Sequence, residues 1–206
     1  MKKVISALSL IAALVIFGAA QLYQHVPTPI GNSVIAEQGD GARVATLLPS
    51  NMTDKQHELL NMAYDVGVEA KLKSPEILQA VLLQETGAGA AASYNVANPG
   101  PNAYFGPMQI KLVVAKTVLQ KWPALFSEYG FHTKTDDEIK ANLILNERFN
   151  IHVAAMYLTI LSAEYGLRGR DLLNAYNRGP TGAKAVGADY HYAIGAERKL
   201  AAMKRS

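Results

Sequence analysis

Glu85 is the residue whose type and position best fit acid chemistry. It ends an apolar run, Ala80-Val81-Leu82-Leu83-Gln84-Glu85, and Thr86-Gly87 then opens a Gly/Ala-rich stretch. A carboxylate there sits at the last turn of a helix, against the core. Burial and the negative end of the helix dipole both disfavour its charged form, so its pKa should rise. A carboxylic acid that stays protonated near neutral pH is the proton donor that glycosidic cleavage requires. A helix-end glutamate turned out to solvent is the plainer alternative, and position alone does not decide between them.

Other chemistries find less support. The five histidines, His25, His57, His132, His152 and His191, show no paired spacing on one helix face, and the chain has no cysteine. Both facts argue against a metal centre. The chain contains no G-x-S-x-G, no phosphate-binding glycine loop and no dinucleotide fingerprint. No cofactor is expected.

The elements that must position Glu85 read as helices. Thr53 and Gln56 have capping-box spacing, and Leu59, Met62, Ala63, Val66 and Ala70 keep the helical period. Ser74-Pro75-Glu76 is a cap, a first-turn proline and a first-turn acid, opening a helix that ends near Glu85. Residues 86–105, rich in Gly, Ala, Asn and Pro, form a long loop or small hairpin, followed by a helix over 110–120. Thr135-Asp136-Asp137-Glu138 opens a helix through Leu145. A broad apolar face from Phe149 to Leu161 ends before Gly166. A further helix runs from Gly169 to Asn177 and stops at Gly179-Pro180, and Asp189 to Met203 supplies the last. Strand signals are scarce, so the expected class is mainly α.

Three ordered segments resemble a family. They are Gln84-Glu85-Thr86-Gly87, Gly106-Pro107-Met108-Gln109-Ile110 and Ala175-Tyr176-Asn177-Arg178-Gly179-Pro180, with Asn150-Ile151 and Tyr157-Leu158 between the last two. The set resembles the catalytic domain of the soluble lytic transglycosylases, a lysozyme-like fold related to goose-type lysozymes, over residues 55–195. The resemblance implies cleavage of the β-1,4 bond between N-acetylmuramic acid and N-acetylglucosamine in peptidoglycan. It makes Glu85 the catalytic acid, then base, as the muramoyl C6 hydroxyl closes a 1,6-anhydro ring. One carboxylate does both jobs, whereas hydrolases usually need a second about 5–9.5 Å away. Glu128, Asp136, Asp137, Glu138, Glu147, Glu164 and Asp171 read as surface or capping charges.

By the same resemblance, Thr86, Met108, Gln109, Tyr176 and Asn177 are substrate-binding residues. The Tyr176 hydroxyl would touch the Glu85 carboxyl, Asn177 would lie near an acetamido group, and Met108 and Gln109 would line the sugar cleft. Plainer roles exist for three of them: core aromatic for Tyr176, helix cap for Asn177, core filler for Met108. The chain departs from the family pattern in a longer Glu85–Gly106 spacing, in Pro107 for Leu and in Arg178 for Ala. Arg178 could bind a peptide-stem carboxylate, or simply be solvated.

The N-terminus resembles an export leader. Lys2 and Lys3 precede an uncharged, mostly apolar stretch from Val4 to Ala20, and Gly18-Ala19-Ala20 suits cleavage. Residues 1–20 are therefore expected to be a signal peptide or weak membrane anchor, 21–51 a linker and 52–206 the transglycosylase domain. The expected location is the periplasm or cell envelope, with membrane attachment through residues 4–20 if the leader is retained. Net charge is +3, of which Lys2 and Lys3 supply two, too little to argue for nucleic acid. The C-terminal cluster Arg198, Lys199, Lys204 and Arg205 reads as a solvated helix end. The expected partner is the peptidoglycan glycan strand, in cell-wall remodelling, a secretion machine or phage lysis. A lysozyme-type hydrolase and a non-catalytic glycan-binding module are the alternatives, the second disfavoured by the intact Glu85, Tyr176 and Asn177.

Overall fold

A computed structural model describes residues 52–90, 103–131, 135–185 and 189–205. The leader and linker expected over 1–51 lie outside these residues. So does most of the Gly/Asn/Pro-rich stretch after Glu85. Among the described residues no helix is long and apolar enough to cross a membrane.

The described chain is mainly helical. Helix α1 (Asp54–Glu69) starts at the expected capping box: Thr53 Oγ1 accepts from Gln56 N–H, and Gln56 Oε1 accepts from Thr53 N–H at 2.8 Å. Helix α2 (Glu76–Thr86) follows, and Gly87 closes it in the left-handed region (φ 60°, ψ 43°). Pro75 is already helical at its start, consistent with a first-turn proline, but makes no side-chain cap. Buried Gln56 also donates through Nε2 to the Gly87 carbonyl at 2.9 Å, so the residue that caps α1 also satisfies the end of α2.

A two-residue hairpin comes next, β1 (Tyr104–Phe105) pairing antiparallel with β2 (Ile110–Lys111), Tyr104 opposite Lys111 and Phe105 opposite Ile110. Helix α3 (Leu112–Lys121) and a short α4 (Ala124–Glu128) follow; the second was not expected from the sequence. Its five residues are too few for a period to show, and Pro123 in helical geometry is what starts it. Then come α5 (Asp136–Leu145), capped by Thr135 Oγ1, and α6 (Glu147–Tyr165), capped by Asn146 and closed by left-handed Gly166.

Helix α7 (Gly169–Ala183) is broken at Gly179 (φ 76°, ψ 166°), the stop expected at Gly179-Pro180. The last helix is α8 (His191–Met203). Helix α6 is buried along nearly its whole length, from Phe149 to Leu161, and contacts α1, α5 and α7. Full burial of each such Leu, Ile or Phe contributes about 1.5–3 kcal/mol, so this helix anchors the core. The acid-bearing α2 is held between α1 and α8.

Candidate active site

Glu85 occupies the last turn of α2, where apolar packing of Val81, Leu82 and Leu83 fixes the helix against the core. Its carboxyl is half-buried, and loss of hydration pushes its pKa up. Two groups from α8 act against that rise. The Tyr192 hydroxyl donates to Glu85 Oε1 at 2.6 Å, and the positive charge of Lys199 lies close enough to favour the carboxylate. Burial wins, and the net shift is upward. Among the described residues no carboxylate contributes to the shift. The internal segments 91–102, 132–134 and 186–188 hold no Asp or Glu at all.

Tyr192, Gly195 and Lys199 share one face of α8 at three- and four-residue spacing. A Cβ at Gly195 would sit 2.8 Å from Gln84 Oε1, so glycine there lets α8 approach the end of α2. Lys199 donates to the Leu83 carbonyl at 3.1 Å, satisfying one of the open carbonyls at the negative end of α2. This corrects the reading of Lys199 as part of a solvated helix end. It is half-buried, burial lowers its pKa, and the Glu85 charge opposes that shift.

The turn between β1 and β2, residues 106–109, is held by three buried side chains from three helices. Thr86 Oγ1 donates to the Pro107 carbonyl at 3.0 Å. Asn150, fully buried on α6, accepts from Met108 N–H at 2.8 Å and donates to the carbonyls of Phe105 (2.9 Å) and Leu143 (3.1 Å). Tyr176 Oη donates to the Met108 carbonyl at 2.8 Å. Gly106 is obligatory: its φ is +68°, and a Cβ would come within 2.2 Å of the Leu143 carbonyl and 2.3 Å of Asn150 Nδ2. The clamp holds Gln109 at φ +50°, unusual for a residue with a side chain, and Gln109 Nε2 donates to the Gly106 carbonyl at 2.9 Å.

A cleft of about 180 Å³ opens beside this turn, lined among others by Tyr104, Gln109, Lys111, Tyr176, Asn177 and Arg178. Glu85 does not line it. Tyr176 links the two places: it borders the cleft, and burial, reinforced by the Glu85 charge, raises its pKa well above the ordinary phenol value.

Of the residues expected to bind substrate, Gln109, Tyr176 and Asn177 come together at the cleft. Thr86 and Met108 do not. Thr86 is buried, with its hydroxyl bonded to Pro107 and accepting from Gly89 N–H at 3.0 Å. The Met108 side chain is fully buried, and it is its backbone that serves the site. Tyr176 directs its hydroxyl to Met108, and the phenol on Glu85 is Tyr192. Tyr192 and Lys199 were missed because each lies outside the three motifs. The available signal was the Tyr192–Gly195–Lys199 spacing, a mid-helix glycine flanked on its own face by a phenol and a cation.

Compared with protein-family models, with characterised proteins and with solved structures, the chain finds no match. Among the described residues no group of His, Cys, Asp or Glu is arranged to hold a metal ion.

Proposed function

We propose that this chain is a peptidoglycan lytic transglycosylase whose helical domain is of the lysozyme-like kind. The observation that carries the reading is the state of Glu85: a half-buried carboxyl with a raised pKa, oriented by a phenol at 2.6 Å, and with no carboxylate among the described groups that shift it. A raised pKa suits a proton donor near neutral pH. A site with no second carboxylate among the described residues suits a reaction in which one group acts twice.

In that reaction Glu85 gives its proton to the glycosidic oxygen as the bond from muramoyl C1 to that oxygen breaks. The resulting carboxylate takes the proton of the C6 hydroxyl, whose oxygen bonds to C1. The proton count on Glu85 is restored and no water is consumed. Tyr192 and Lys199 stabilise the intermediate carboxylate, while burial protects the acid form between turnovers. The three ordered motifs support the substrate class, and an envelope location agrees with the leader-like residues 1–20.

Mass spectrometry of the fragments released from purified peptidoglycan tests this. The expected products end in 1,6-anhydro-muramic acid. Fragments heavier by one water would make the enzyme a hydrolase, and absence of cleavage would leave a glycan-binding module.

A further inference from the structure

Among the described residues the cleft beside the hairpin turn is lined by two cations and no acid. Lys111 and Arg178 both line it, from β2 and from the end of the first part of α7. Lys111 is half-buried, with Nζ 4.9 Å from the centre of the Tyr104 ring, and has no carboxylate partner among the described residues. A lysine partly withdrawn from water, resting on an aromatic face and without a counter-ion is poised to meet an anion. Arg178 is engaged only loosely, through one 3.3 Å contact to Asp189, whose other oxygen accepts from His191 N–H. The planar guanidinium has five donors, so most remain for a ligand. The undescribed segment 91–102 contains no acid that could neutralise either cation.

We infer that Lys111 and Arg178 form a carboxylate-binding subsite that selects glycan bearing an acidic peptide stem, through the cleft bounded by Tyr104, Gln109 and Asn177. This deepens the transglycosylase reading and rests on it. A muramoyl unit carries its peptide on the lactyl group, so a stem lying along the glycan strand brings free carboxylates to the walls of the sugar cleft. Tyr104 and Tyr176 supply flat faces for the sugar or the aliphatic part of the stem, and the two cations meet its charge. The pair governs substrate choice and leaves the proton transfers at Glu85 untouched.

The test uses the full chain and two forms of one soluble glycan preparation: strands with native stem carboxylates, and the same strands after carbodiimide coupling to ammonia. The wild type should cut the native form with a KM about tenfold lower, at similar kcat, the scale expected for two partly exposed charge pairs. The Lys111→Gln/Arg178→Gln pair should treat both forms like the amidated one, and Lys111→Arg should retain the preference. Equal KM for both forms with the wild type, which needs no variant to fold, overturns the subsite while leaving transglycosylation intact. If the wild type cuts neither form and Glu85→Gln binds neither in a pelleting assay, the parent reading falls and the subsite with it.

Discussion

The Tyr192 hydroxyl donates to Glu85 Oε1 at 2.6 Å, joining the last helix to the end of α2 across 107 residues of sequence. The bond fixes the carboxyl direction and favours the charged form, against the burial that favours the neutral one. Burial also pushes the Tyr192 pKa well above its ordinary value, and the nearby Glu85 charge adds to this, so the phenol remains a donor throughout the useful pH range. The geometry assigns to Tyr192 the orienting role that the motif resemblance implied for Tyr176.

Replacing Tyr192 by Phe should therefore change both rate and pH dependence. Losing a positioning contact should lower kcat by about tenfold or more. The hydrogen bond lowers the Glu85 pKa, so its removal raises it further, and the alkaline limb of the kcat/KM profile should move to higher pH. An unshifted limb would show that the 2.6 Å bond has no hold on the acid.

Tyr176→Phe should behave differently. Its hydroxyl supports the Met108 carbonyl, a neutral bond worth about 1 kcal/mol, so the main effect should be a lower melting temperature. The alkaline limb should stay within measurement error of the wild type, because the bond on Glu85 is intact. Paired pH–rate curves of the two Phe variants separate the two phenols.

Much of the helical framework was legible because its signals are local. Thr53–Gln56, Thr135, Gly87, Gly166 and Gly179 each mark a boundary by the chemistry of a cap or a left-handed turn. Glu85 was legible because an acid at the end of an apolar run is unusual. What was not legible depends on contacts between distant segments. Thr86 looked like a hydroxyl for substrate until Pro107 arrived as its partner, and for Met108 the sequence left cleft lining and core filler both open until burial decided for the core. Lys199 looked like a surface charge because nothing in its own helix points to the Leu83 carbonyl.

Glu85 should also tie stability to pH. Its folded-state pKa lies above the ordinary carboxylate value of 4.5, so the folded protein binds the proton more tightly than the unfolded chain. The stability linked to that proton is complete below the ordinary value and is lost as pH rises through the raised one. Glu85→Gln removes the penalty of a buried charge while keeping the shape of the neutral acid. It should be inactive, yet melt above the wild type at pH 8, with the gap closing toward pH 4. A gap that is constant with pH would mean that the carboxyl pays no burial penalty when charged.

The hairpin clamp makes the most severe structural prediction. Asn150→Ala strips partners from Met108 N–H and from the Phe105 and Leu143 carbonyls, all at a fully buried position. Unpaired buried groups cost about 1–3 kcal/mol each, and partial relaxation reduces the sum, so a loss of about 3–4 kcal/mol is expected. For a domain of this size that is a fall in Tm of about 10 °C. Gly106→Ala attacks the same joint from the other side, forcing a Cβ against the Leu143 carbonyl and Asn150 Nδ2 at a positive φ. Because both changes break one unit, the double variant should be less destabilised than the sum of the singles, measurable by denaturant unfolding as a coupling of about 1 kcal/mol or more. Strict additivity would mean that Asn150 and Gly106 hold the turn independently, and the turn would then not be the rigid platform that sets Gln109 at the cleft.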